Sequence, residues 1–111
     1  ASPRLNQLNE ALNYIQMHLA EDWSLEAVAR LAGSNRTYIK QDIKQLKGIS
    51  FREWLTQARL KAAAELLSGN ESIIQIAYKV GFKSQAHFAT LFKSVQGVTP
   101  SEYRQSISIE R

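Results

Sequence analysis

Hydrophobic residues recur along this chain at the three- and four-residue spacing of amphipathic helices, and no segment alternates apolar with polar residues as a half-buried strand does. Serine, threonine or asparagine precedes most of the apolar segments, and glycine follows several of them, which is typical of helix ends. The pattern therefore predicts an all-α fold. Seven helices are predicted, over residues 3–19, 25–32, 35–47, 50–67, 72–80, 84–96 and from 99 onward.

A helix-turn-helix pattern occurs twice in the chain, with the second copy displaced by about fifty residues. Each copy is predicted to be a short helix, a glycine turn and a second helix. Duplication of so small a helical unit predicts two similar surfaces that are used together. The corresponding positions are Ile39, Ile43, Leu46 and Gly48 with Phe88, Phe92, Val95 and Gly97, and Ala29 and Gly33 with Ala77 and Gly81.

The apolar positions also predict which helix faces are buried. The first helix has an N-cap and an N1 proline at Ser2 and Pro3, and then carries one apolar stripe. The second helix of each copy buries the side that carries its repeated hydrophobic residues. The predicted buried residues are Leu5, Leu8, Leu12, Ile15 and Leu19 in the first helix, Ile39, Ile43 and Leu46 in the first copy, and Phe88, Leu91, Phe92 and Val95 in the second.

One predicted helix, residues 50–67, connects the two copies. It contains an alanine run and few polar positions on its inner side, which predicts a packed strut rather than a passive tether. Capping boxes are predicted at Ser50 and Glu53, at Ser72 and Gln75, and at Thr99 and Glu102. The predicted division of the chain is a first unit with a leading helix in residues 1–48, the connecting helix in 49–68, and a second unit with a C-terminal helix in 69–111.

The composition limits the chemistry that this chain can perform. With 44% hydrophobic residues among 111, it can form one domain or two very small ones. It has no cysteine, and therefore no disulfide, thiolate nucleophile or cysteine-bound zinc, and we predict no metal or cofactor. No apolar run is long enough to cross a membrane and no signal peptide precedes the first helix, which predicts a cytoplasmic protein without a membrane partner.

The positive charge is concentrated in the middle of the chain. The net charge is +4, and residues 34–68 carry seven basic against three acidic groups, whereas residues 1–33 carry two against four. Basic patches attract phosphate backbones or anionic membranes. A solvated helix face is the commoner explanation of lysine and arginine in general, so charge alone does not decide between these alternatives.

The second helix of the first copy presents a polar side once its hydrophobic residues are buried. Arginine and glutamine suit the paired donors and acceptors of guanine and adenine edges, lysine reaches guanine or phosphate, and the threonine methyl can contact thymine. We therefore predict that this side enters the major groove of DNA. The predicted contact residues are Asn35, Arg36, Thr37, Lys40, Gln41 and Lys44.

The equivalent side of the second copy is poorer in groups that read bases. Gln85 can address adenine, and alanine or threonine can pack against thymine methyls, while the lysines suit phosphates. We predict that this copy contributes mainly register and affinity. Ordinary solvent exposure explains Ala86 and Ala89 equally well. The predicted contact residues are Lys83, Ser84, Gln85, Ala86, Ala89, Thr90 and Lys93.

Taken together, these motifs make the chain similar to the DNA-binding domain of the AraC/XylS family of bacterial transcription regulators. The most specific stretch lies between Ile73 and Arg104, and the agreement extends over nearly the whole chain. Its residues are Ile73, Ile76-Ala77, Val80-Gly81-Phe82, Phe88, Phe92-Lys93, Gly97, Thr99-Pro100 and Tyr103-Arg104. In the first half the agreement includes Ser24-Leu25, Val28-Ala29, Lys44, Gly48 and Arg59-Leu60.

The resemblance implies two helix-turn-helix units that bind successive major grooves of double-stranded promoter DNA and commonly recruit RNA polymerase. It also implies a separate effector-sensing or dimerisation domain that this chain does not contain, so we expect either an isolated C-terminal fragment or a small one-domain member. The sequence departs from the family pattern at Gln41 and Thr90, where the resemblance implies arginine.

Two other classes of function are alternatives to DNA binding. An enzyme has little support, because His18 and His87 are isolated on different helices and the serines are explained as caps. A protein-interaction module with an acidic partner would also present a basic helix face. Affinity for duplex DNA that depends on base sequence distinguishes a DNA-binding domain from a protein-interaction module.

Overall fold

A computed structural model of the chain describes residues 3–110, and the side chains of residues 3–108. The regular structure in this range is helical throughout, which confirms the predicted all-α fold of seven helices. Ser2, the predicted first N-cap, lies outside the described residues. The helices are α1 (Pro3–Gln16), α2 (Leu25–Ala32), α3 (Arg36–Lys47), α4 (Phe51–Leu66), α5 (Ile73–Lys79), α6 (Gln85–Gln96) and α7 (Pro100–Glu110).

The chain forms two compact units, one ending at Gln57 and the other beginning at Ala58. The first unit contains α1, α2, α3 and the beginning of α4. Its core is aliphatic except for the aromatic residues that α4 supplies, and Trp23 and Ile49 pack against its edge. The main buried side chains are Leu8, Leu12, Ile15, Val28, Ile39, Ile43, Phe51, Trp54 and Leu55.

The second unit contains the rest of α4 together with α5, α6 and α7, and its core is largely aromatic. Phe88 and Phe92 on α6 are fully buried. The ring centroid of Phe88 lies 5.3 Å from that of Phe82 and 5.6 Å from that of Phe92, and Tyr103 meets Phe92 edge-on at 5.4 Å. Such tilted and edge-on arrangements are the favourable ones for aromatic pairs, so they hold α6 against its neighbours.

Five predicted core positions differ in the structure: Leu5, Leu19, Leu46 and Leu91 are only partly buried, and Val95 is exposed. α1 ends at Gln16 rather than near Leu19, because the amides of Met17 and His18 bond three residues back, to Tyr14 and Ile15, and close the helix. Leu19 lies in the following turn, partly buried against the first core. Val95 was predicted to be buried but is 60% exposed. It lies on the same side of α6 as Phe88, but the core does not extend to the last turn of that helix.

The predicted caps define the two helix pairs. The turn after α2 contains Gly33 with φ of 67°, and the turn after α5 contains Gly81 with φ of 110°. Residues with a β-carbon rarely adopt these angles, so glycine allows each chain reversal at little cost. Ser24 accepts the amide of Ala27 at the start of α2, and Ser72 forms a complete capping box with Gln75 at the start of α5.

The other two predicted capping boxes differ: the box at the start of α7 is complete, whereas at α4 the Glu53 carboxylate accepts from the Ser50 hydroxyl and not from its amide. The amide of Glu53 donates to the Ser50 hydroxyl, which in turn donates to the Glu53 carboxylate. At α7 the amide of Glu102 donates to Thr99 and the amide of Thr99 donates to Glu102 at 2.9 Å. The bond from the Thr99 amide, and after it the Thr99 hydroxyl, stabilise the charged carboxylate and lower the pKa of the Glu102 carboxyl below its ordinary value. The charged form of Glu102 therefore favours the folded helix end.

Candidate nucleic-acid interface

The predicted contact residues of the first unit share the solvent side of α3, which we call the first polar face. All of them are exposed, whereas Ile39 and Ile43 on the opposite side are at most 1% exposed. α3 is thus packed against the core along one side and exposed to solvent along the other. The face consists of Asn35, Arg36, Thr37, Lys40, Gln41 and Lys44.

Two residues of the first polar face have partners that the sequence analysis did not predict for them. The side-chain oxygen of Asn35 caps α3 by accepting the amide of Tyr38 at 3.0 Å, so its NH₂ group is the part left to meet a ligand. Arg36 forms an ion pair with Glu26 of α2, with Nε of Arg36 3.1 Å from Oε1 of Glu26. Within the described range, Lys40 and Lys44 have no ion-pair partner, and their charges are available to phosphates.

The predicted contact residues of the second unit lie at the start and along the solvent side of α6, which we call the second polar face. Six of them are exposed, but Ala89 is half-buried. The Ser84 hydroxyl caps α6 by accepting the amide of His87 at 3.1 Å. The face therefore offers fewer donors and acceptors than the first. It consists of Lys83, Ser84, Gln85, Ala86, Ala89, Thr90 and Lys93.

A buried charge on α3 was missed by the sequence analysis. Asp42 is 3% exposed although it lies on the helix that carries the first polar face. Arg4 of α1 contacts both of its carboxylate oxygens: Nη2 donates to Oδ1 at 3.0 Å, and Nε lies 2.9 Å from Oδ2 without the angle of a hydrogen bond. The guanidinium also lies over the ring of Tyr38, 5.3 Å from its centroid. Arg4 therefore ties α1 to α3.

We expect Arg4→Met to destabilise the first unit by about 1–3 kcal/mol, because it leaves the Asp42 carboxylate buried without its partner. The solvent around Arg4, whose side chain is 54% exposed, keeps the cost below that of a fully buried pair. Urea unfolding followed by circular dichroism measures the change, and Arg30→Met is the matched exposed control. Asp42→Asn added to Arg4→Met should restore part of the loss. If the losses of stability from Arg4→Met and Asp42→Asn were simply additive in the double variant, Arg4 and Asp42 would not be coupled.

The rest of the described structure offers little for catalysis. In residues 3–110 no cluster of three or more histidine, cysteine, aspartate or glutamate side chains is placed to hold a metal ion. His18 stacks on Tyr14 and lies 2.8 Å from its carbonyl oxygen, and His87 lies edge-on to Phe82. Among the described helices none has the length and apolar character needed to span a bilayer.

A family model described as a helix-turn-helix domain matches residues 28–106, which include both polar faces. The chain belongs to this family. The matched range begins within α2 and ends within α7, so it includes part of α2, the whole of α3, α4, α5 and α6, and part of α7. It therefore extends over both copies of the repeat seen in the sequence.

Two relatives of this helix-turn-helix chain are described as regulators. An uncharacterised helix-turn-helix transcriptional regulator of Haemophilus influenzae is 38% identical over 93% of the chain. The regulatory protein PocR of Salmonella typhimurium is 35% identical over 96% of it. The chain spans 35% and 36% of the lengths of these two relatives.

Solved structures show the same fold. The DNA-binding domain of the global transcriptional factor AdpA, solved in complex with a target DNA, superimposes with a TM-score of 0.89 at 27% identity, over 94% of this chain and 95% of that one. A Chromobacterium violaceum transcriptional regulator described as containing an AraC-type DNA-binding domain has a TM-score of 0.83 at 29% identity, over 90% of each chain. The chain is thus an AraC-type helix-turn-helix domain.

Proposed function

We propose that this domain binds double-stranded promoter DNA in a sequence-dependent manner, with α3 and α6 in successive segments of the major groove, and that it regulates bacterial transcription. The observation that carries the proposal is the pair of capped helix-turn-helix units, each with a second helix buried along one side and polar along the other. The likeness to AdpA, whose domain was solved on its target DNA, supports it.

The first polar face is suited to direct readout of bases. Major-groove edges present distinct patterns of donors and acceptors, and Arg36, Lys40 and Gln41 supply the side chains that recognise them most often. The N-terminus of α3 is capped and exposed to solvent, as the N-terminus of the second helix of a DNA-binding helix-turn-helix is. We assign to this face the larger share of the base preference.

The second polar face is suited to positioning on the backbone. Ser84 is engaged as a cap and Ala89 is half-buried, which leaves Gln85 as the main side chain of this face that can read a base edge. Lys83 and Lys93 are exposed at the start and in the last turn of α6, where ammonium groups suit phosphates. We assign to this face register and affinity.

The remaining parts of the proposal concern a longer protein. Since the chain spans about a third of the relatives PocR and the Haemophilus regulator, we propose that it acts as the DNA-binding part of a cytoplasmic regulator with a separate effector-sensing or dimerisation domain. RNA polymerase is the proposed protein partner at the promoter.

Selection from randomised duplexes of about two to three helical turns tests the function, with gel-shift measurement of the selected sequences. We expect one recurring motif with two halves, and loss of binding to scrambled duplexes of equal length and composition. Equal affinity for selected and scrambled DNA would contradict the proposal. If this domain bound an acidic protein and showed no preference among DNA sequences, the result would favour a protein-interaction module instead.

Alanine variants separate base readout from backbone contact. Lys40→Ala and Gln41→Ala should each reduce the preference at particular base pairs by about 1–3 kcal/mol, because a lost base contact is felt only where that base was read. Lys93→Ala should weaken binding to all sequences alike. Affinities for every single-base change of the selected site give the comparison. A changed motif in Lys93→Ala would show that the second polar face reads bases at that point.

A further inference from the structure

The ion pair between Glu26 and Arg36 lies at the point where the first helix pair would meet DNA. Glu26 is in the first turn of α2, and Arg36 is the first residue of α3. Both side chains are well exposed, 56% for Glu26 and 65% for Arg36. The contact is made by Nε of Arg36, and among the described residues Glu26 is its only ion-pair partner.

The second unit has no such pair at the corresponding place. Counted from the capping residues, Ile74 of α5 corresponds to Glu26, and Gln85 of α6 corresponds to Arg36. Ile74 is 43% exposed and carries no charge that could hold Gln85. The charged pair is therefore a property of the first unit and is not required by the helix-turn-helix fold.

We propose that Glu26 is a positioning residue that determines specificity by aiming Arg36 at a base edge, an inference that rests on the proposed function. With Nε held by the carboxylate, the terminal Nη1 and Nη2 groups form the end of the side chain that remains for a ligand. Two parallel N–H donors match the O6 and N7 acceptors of guanine. The base pair that faces the start of α3 is thus read as guanine.

The charge of Glu26 adds a second effect. A carboxylate beside Arg36 repels phosphate oxygens, which opposes the alternative in which Arg36 swings to the DNA backbone. Glu26 therefore lowers the affinity for DNA in general while raising the preference for one base. An exposed ion pair contributes little to folding stability, so substitution of Glu26 changes recognition without unfolding the unit.

Three variants test this role in the DNA-binding domain: Glu26→Ala, Arg36→Ala and the double variant. In Glu26→Ala we expect a loss of about tenfold in the preference at one base pair, together with tighter binding to unrelated DNA. If Arg36 moves to a phosphate, the slope of log affinity against log salt should steepen by about one. Arg36→Ala should lose the preference at the same base pair. In the double variant, the added Glu26→Ala should not change that preference any further.

The controls separate this effect from a simple change of charge. Glu10→Ala removes an equal charge from an exposed position on α1 and should leave every base preference unchanged. Glu26→Gln keeps the size of the side chain but removes the charge of the ion pair, and should retain less of the preference than the unchanged protein. Circular dichroism checks that each variant is folded.

The possible failures are distinguishable. If the unchanged protein binds one sequence preferentially but Glu26→Ala keeps the same preferences and salt slope, the inference about Glu26 is wrong and the proposed function stands. An effect of Glu26→Ala that persists in the absence of Arg36 also overturns it. If the unchanged protein shows no sequence preference, both the inference and the proposed function fail.

Discussion

Insertion of about five base pairs between the two halves of a selected site is expected to abolish tight binding. Half a helical turn carries one half of the site to the opposite side of the duplex. The two units are covalently connected by α4, a continuous helix whose first half supplies Phe51, Trp54 and Leu55 to one core and whose second half supplies Leu60 and Ala63 to the other. A helix lacks the slack of a flexible linker, so one chain should not contact both displaced halves.

Gel shifts with matched duplexes measure this effect. The duplex with the insertion should bind no more tightly than a duplex that contains only the better half of the site, and the same insertion outside the site should have no effect. Unchanged affinity for the duplex with the internal insertion would show that one unit alone engages DNA, or that α4 bends freely between the units.

Ala62→Pro is expected to destabilise the domain by about 3 kcal/mol or more, because proline lacks the backbone N–H and its ring clashes with the preceding turn. Ala62 lies inside α4, partly buried against the second core. If α4 acts as a strut, DNA affinity should collapse even at temperatures where circular dichroism still reports mostly helix.

Ala62→Gly is the matched variant for this test. Glycine keeps the N–H and costs only about 1 kcal/mol in a helix interior, so it should lower stability modestly and leave the selected motif unchanged. Thermal unfolding and gel shifts on the same samples compare the two variants. If Ala62→Pro kept the affinity and the spacing preference of the unchanged protein, α4 would have no part in positioning the units on DNA.

The helices and their ends could be predicted from the sequence because the signals are local. A cap such as Ser72 bonds an amide three residues later, and a glycine such as Gly33 permits a positive φ within its own residue. The helical period likewise assigns Ile39 and Ile43 to the buried side of α3. Each of these features depends on neighbours in the chain, so the all-α fold, the duplicated unit and the solvent side of α3 follow from the order of residues alone.

Contacts between distant residues were decided only by the tertiary structure. In the sequence, nothing distinguishes Asp42 from the other polar residues of α3, and only packing brings Arg4 against it from a position 38 residues away in the chain. Glu26 and Arg36 become partners only when the turn after α2 folds back. Val95 has the period of a buried residue but stands where the core has already ended. Periodicity gives the direction of a side chain, whereas its partner and its burial depend on what the rest of the chain places in that direction.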